Sequence, residues 1–225
     1  MFKRFVHLGS IAAAALLLAA PARAATVIDF ASSGGVGGWI TWNGANLTGT
    51  DIPIGTVTIT NAPTGNGAYF VYGSAVSTPD PTGRTVFGDL DFSTGPASFV
   101  TITGCIPGLG VGVFNAATGT CTTPVALLTG TITSFDASRA SQGLVAATGP
   151  DIKNPALLAA IGLPANTPFA FFGASFATNM LGPDGQGSTV TSTDFKNTSV
   201  PEPASLMLLG TGLLALSRTR RRKTV

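Results

Sequence analysis

The sequence predicts an all-β fold: a β-sandwich or jelly-roll-like single domain with one short helix, flanked by an N-terminal signal helix and a C-terminal membrane helix. Three observations predict it. Short β-branched and aromatic runs recur between Gly, Pro and Asn. One segment, Asn154 to Gly162, has both the start and the stop signals of a helix. Both ends are apolar and positively charged, unlike the region between them. The organisation expected is residues 1–24 as signal peptide, 25–199 as exported domain and 200–225 as tail.

The N-terminus has its elements in export order. Lys3 and Arg4 give a positive start, Leu8 to Ala20 an apolar core, and Pro21 breaks it. Ala22-Arg23-Ala24 has the small-x-small pattern that signal peptidase cuts, which places cleavage between Ala24 and Ala25. The only histidine, His7, leaves with this segment.

The remaining region, Ala25 to Ser199, contains no Glu and no His. Its aspartates outnumber its four bases, Arg84, Arg139, Lys153 and Lys196, so it is net negative. A nucleic-acid binder needs a basic stripe, and none is present. A Ser-His-Asp arrangement is impossible without histidine. General acid–base chemistry would fall to aspartates, and no pair of them stands out, so we expect no catalytic residues and no enzyme. An Asp-dependent secreted hydrolase is the least favoured alternative. No cofactor or metal is expected. Low charge with many Phe and β-branched residues argues for a folded chain rather than disorder.

The expected strands are Thr26–Phe30, Trp39–Trp42, Thr56–Thr60, Ala68–Tyr72, Thr85–Phe87, Ser98–Thr103, Val111–Asn115, Leu127–Phe135, Phe169–Phe176 and Thr189–Phe195. In Thr56–Thr60 the alternation points Val57 and Ile59 to a core and the threonines outward. Trp39 and Trp42, near Tyr69 and Tyr72, are the candidate sugar platform, because aromatics with a polar edge suit wet binding faces. Trp39 and Trp42 lie three apart, so a continuous strand points them to opposite faces and sends one inward. Asp89 to Gly95 has oxygen ligands at alternate positions, as a calcium loop does. It lacks the Gly and Glu that such a loop requires and reads as an exposed acidic turn.

Two cysteines, Cys105 and Cys121, are exported together into an oxidising compartment, which predicts a disulfide. Such a bridge stabilises by about 3 kcal/mol. Asn154 is a helix cap and Pro155 a first helical residue, with Leu157, Leu158 and Ile161 as the buried face. Phe169 to Phe176 is aromatic on both alternations, which predicts a strand buried on both sides.

The tail begins Val200-Pro201-Glu202-Pro203. A mostly apolar run from Ala204 to Leu216 follows, then Arg218, Arg220, Arg221, Arg222 and Lys223. The run is shorter than the roughly 20 residues of an ordinary membrane span, and Ser217 with snorkelling arginines extends it to a helix over about 204–217. The basic cluster stops transfer and stays cytoplasmic, which leaves the domain outside.

Pro-Glu-Pro, a short apolar helix and arginines, in that order, resemble the PEP-CTERM sorting signal of bacterial exosortase substrates. This tail is sometimes labelled an ice-binding protein C-terminal domain, a label that implies nothing about ice binding by residues 25–199. The resemblance implies partners: an exosortase-type enzyme that cuts near Pro201–Pro203 and, before it, signal peptidase. It also implies a membrane-anchored precursor, then a place on the cell surface or in an exopolysaccharide-rich matrix. NPALLAAIGLP, FAFFGASF and TSTDFKNTSVPEP are similar in style to members of that class and transfer no active site. The function expected is a non-enzymatic structural or interaction role, with a carbohydrate-binding module as the alternative.

Overall fold

Alternating residues make the strands, as Thr56–Thr60 shows. Val57 and Ile59 are fully buried and Thr58 and Thr60 exposed, because neighbouring side chains of a strand point to opposite faces. The computed structural model describes residues 25–32, 37–74, 86–138, 143–178 and 187–199. The signal segment with Ala22 and Ala24, the Val200–Pro203 motif, the apolar run and the arginine cluster lie outside the described residues. Among the described residues no helix is long and apolar enough to cross a membrane.

The fold is all-β with one short α-helix. The strands are β1 (Val27–Ala31), β2 (Gly37–Trp42), β3 (Leu47–Ile54), β4 (Thr56–Thr60), β5 (Gly67–Phe70), β6 (Gly88–Ser93), β7 (Phe99–Gly104), β8 (Val113–Asn115), β9 (Thr120–Thr123), β10 (Val125–Gly130), β11 (Ser134–Ser138), β12 (Gly143–Lys153), β13 (Phe169–Thr178) and β14 (Gly187–Ser199). Helix α1 spans Pro155–Ala160.

The strand order is β11-β12-β10-β7-β6-β3-β2-β14-β1-β4-β5, and β13 pairs with both β12 and β14. The ladder therefore closes into a ring through β12, β10, β7, β6, β3, β2, β14 and β13. Two long strands make closure possible by changing partner along one edge. β14 pairs with β13 on one edge; on the other, Gly187–Val190 pairs with β2 and Asp194–Thr198 with β1. β12 pairs with β13 on one edge, and on the other with β11 over Leu144–Thr148 and with β10 over Asp151–Lys153. Every pairing among the named strands is antiparallel.

The ring encloses a core in which Phe30, Phe92, Phe169, Phe176 and Phe195 are buried. Phe92 stacks on Phe176 with centroids 4.8 Å apart. Outside the large sheet, β8 and β9 form a separate ribbon. The Cys105–Cys121 disulfide ties β9 to the end of β7, with Cα atoms 5.7 Å apart and a sequence separation of 16. Gly112 (φ +75°) turns beside this bridge, where a Cβ would lie 2.5 Å from Cys105 Sγ. At the cap of α1 the Asn154 side-chain Oδ1 accepts from Ala156 N at 2.9 Å, and Nδ2 donates to Ala126 O of β10 at 2.9 Å. The cap thus fixes the helix to the sheet. Leu157, Leu158 and Ile161 are buried.

Three expectations are corrected. Asp89–Gly95 is not a turn: its first five residues belong to β6, paired on both edges with β3 and β7. Leu90 and Phe92 face the core there, and Asp89 and Asp91 share the opposite face. Leu127–Phe135 is not one strand. It breaks after Gly130, where a Cβ would meet Pro150 O at 2.7 Å, and Thr131 and Thr133 bond back to Pro150 and Thr148. β13 is not buried on both sides. Ala174, Phe176 and Thr178 are buried, whereas Gly173, Ser175 and Ala177 are half-exposed. A register shift between Phe171 and Gly173 resets the alternation, so Phe169 and Phe176 face one core.

Truncating Phe176 to Ala should remove its stack on Phe92 and lower stability by about 3–5 kcal/mol, read from urea unfolding midpoints. Replacing both Cys105 and Cys121 with Ala should cost about 3 kcal/mol in the same assay.

Candidate functional site

The two tryptophans occupy opposite faces of β2. Trp39 is 49 % exposed. Trp42 packs against the core with its ring edge-on to Phe135, centroids 6.4 Å apart. The structure does not bring them together as one platform. Tyr69 is half-buried and its hydroxyl donates to Gly65 O at 3.1 Å. Tyr72 lies against Phe114 of the disulfide-tied ribbon, with centroids 4.6 Å apart, and contacts Phe70 edge-on.

Two aspartate pairs stand on strand faces. Asp91 of β6 accepts from Asp51 N at 3.0 Å. Burial, then the charges of Asp91 and Asp51, push the Asp89 carboxyl up from 3.8 to about 6. On β1, burial raises Asp29 from 3.8 to about 6; a hydrogen bond to Asp194 and its charge add to this, and Lys196 opposes it. Like charges on one face cannot both ionise cheaply. One oxygen of each, Asp29 Oδ1 and Asp89 Oδ1, is buried without a hydrogen-bond partner. Among the described residues no group of three or more His, Cys, Asp or Glu could hold a metal ion.

The most unusual chemistry lies inside the core. Lys153, the last residue of β12, is buried together with Asp151 of the same strand and Asn197 of β14. Lys153 Nζ contacts Asp151 Oδ1 and donates to Asn197 Oδ1 at 3.0 Å. It also sits 4.9 Å from the ring centroid of Phe169, on the intervening strand β13. Asn197 Nδ2 donates to Ile28 O at 3.0 Å and Phe195 O at 2.9 Å. Two carbonyl partners on one nitrogen fix the amide's orientation, so its oxygen must face the lysine. Asp151 Oδ2 has no partner. Burial lowers the Lys153 amine to about 8, against the pull of Asp151, and raises the Asp151 carboxyl against the pull of Lys153. Both shifts favour a neutral amine beside a neutral acid, since a dry core penalises charge.

Sequence reasoning missed this group. In Asp151-Ile152-Lys153 the hydrophobic rule sends Ile152 inward, yet Ile152 is 71 % exposed and its two charged neighbours are buried. From Ala147 to Lys153 the alternation is unbroken, odd residues inward, so the face is set by how the whole strand registers on β13 and β10. The inverted pattern itself, charge-apolar-charge ahead of a helix cap, is the signal that was available.

Residues 199–223 match the family model described as the PEP-CTERM protein-sorting motif. No curated protein and no solved structure matches the chain.

Asp29 and Asp89 bind protons more tightly folded than unfolded. The stability they supply is therefore full below pH 3.8 and is lost as pH rises through about 6. Thermal midpoints measured across this window should fall with rising pH, and Asp29→Asn and Asp89→Asn should each flatten the fall. An unchanged slope in both variants would assign the titration elsewhere.

Proposed function

Because the chain carries a PEP-CTERM sorting motif and so belongs among exported proteins sorted by an exosortase, we propose that it is a non-enzymatic protein of the bacterial cell surface or extracellular matrix. Its signal peptide is removed before Ala25. The helix over about 204–217 holds the precursor in the membrane with Arg218, Arg220, Arg221, Arg222 and Lys223 inside. Cleavage near Pro201–Pro203 then releases the domain or passes it to the surface. The domain itself is a β-sandwich of jelly-roll type, closed by β14.

One observation carries this reading: the motif starts at Ser199, the last residue of β14. The strand that closes the ring thus ends, in sequence, where the matched motif begins. Ser199 is held in place by its own bonds, donating from N to Thr26 O at 2.9 Å and accepting from Thr26 N at 3.0 Å.

A second reading, a carbohydrate-binding role in an exopolysaccharide matrix, is favoured by the exposed indole of Trp39. Trp42, turned to the core, takes no part in it.

Intact mass of the protein from surface and medium fractions tests the first reading. The species expected begins at Ala25 and ends close to Pro201–Pro203. A mass extending to Val225, found in the membrane fraction, overturns sorting cleavage. For the second, retention on a polysaccharide panel should be lost in Trp39→Ala and kept in the wild type; no retention of the wild type on any panel member overturns it.

A further inference from the structure

We propose that Lys153 and Asn197 join in an intramolecular isopeptide bond, formed by the folded chain itself with Asp151 as the proton carrier. The three side chains meet in the core and nowhere touch solvent. Their placement has what amide exchange requires: an amine, an amide carbonyl and an acid in one dry pocket.

Lys153 Nζ already lies 3.0 Å from Asn197 Oδ1, and the carbonyl carbon is one bond farther. A small shift of the flexible lysine chain moves the nitrogen from oxygen to carbon, within the range where held reactants behave as one molecule. The amide cannot turn away, because Ile28 O and Phe195 O hold its nitrogen. Asp151 touches the attacking nitrogen through Oδ1 and keeps Oδ2 without a partner.

The step balances without an oxidant or co-reactant. The neutral Lys153 amine attacks Asn197 Cγ and forms the Nζ–Cγ bond. Asp151, starting as the neutral acid, gives its proton to Nδ2 and takes up the proton that the attacking nitrogen sheds. The Cγ–Nδ2 bond breaks and ammonia leaves. The product is a secondary amide, and Asp151 remains as a neutral acid able to donate to it. A buried amine beside an acid with one unsatisfied oxygen is thereby replaced by a neutral amide and its acid, which removes a group whose charging the core would penalise. The lowered lysine and raised aspartate move both groups toward the neutral states with which the step begins.

The bond would tie β12 to β14 across β13, and β14 is the strand continuous with the tail. Load applied through the tail would then meet a covalent link two residues before the fold ends, rather than hydrogen bonds alone.

The test is the mass of the reduced full chain after export, followed by a tryptic map. The chain should be lighter by one ammonia than the sequence between its observed termini. Trypsin should fail after Lys153, and a branched peptide should join Lys153 to Asn197. In Asp151→Asn the ammonia should be retained and cleavage after Lys153 restored. Should that variant fail to fold, the wild-type map decides alone. A wild-type chain of full mass, or one that has lost ammonia yet is still cut after Lys153, overturns the bond. Loss of water with a branch at Asp151 overturns it in favour of a link within β12. A D151N chain that keeps the branch to Asn197 overturns the role given to Asp151.

Discussion

The closed ladder depends on β14. Its length lets it serve β13 on one edge and both β2 and β1 on the other. It is paired on both edges, and Val190, Phe195 and Asn197 are buried. An antiparallel sheet otherwise ends in edges that invite other chains. Here the branches β11 and β5 end the strand order, while the ring itself is continuous. β13 must satisfy β12 and β14 at once, and it does so with an extra residue between Phe171 and Ala174 that shifts its register against both.

That constraint also explains the polar group in the core. β12 ends against β10 and hands the chain to α1 through Asn154, which is bonded to Ala126. Asp151 and Lys153 face inward on the same unbroken alternation as Ala147, and the aromatic face of Phe169 and the amide of Asn197 are what receive them. A lysine without those partners would not be tolerated at this depth. Stability and chemistry are therefore set by the same contacts: the groups that make the buried amine acceptable are the groups with which it can react.

The outward faces have a different character. Thr48, Thr50, Thr58 and Thr60 stand outward, and the exposed large apolar residues Trp39, Phe70, Phe99, Val113 and Ile152 belong to separate strands. The core is specific, the surface is plain, and the sorting motif at residues 199–223 supplies the destination.

Much was legible in the sequence because it depends on neighbours along the chain. The tail was readable from its order of Pro-Glu-Pro, apolar run and arginines. Helix α1 was readable because Asn154 and Pro155 are local start signals, and Thr56–Thr60 because its alternation is unbroken. Legibility failed where pairing overrides the local pattern. Asp89 and Asp91 looked like a turn because acids are rare in strands, yet two flanking strands hold them in β6. β3 and β12 were hidden by Gly49, Pro53, Gly149 and Pro150, residues that a local rule assigns to loops. Sequence by itself determined the class of fold, the helix and the address of the protein. Only the tertiary structure decided which face of β12 turns inward, and so brought Lys153 to Asn197. A strand's register is set by the strands on both sides, and no stretch of the chain contains that information alone.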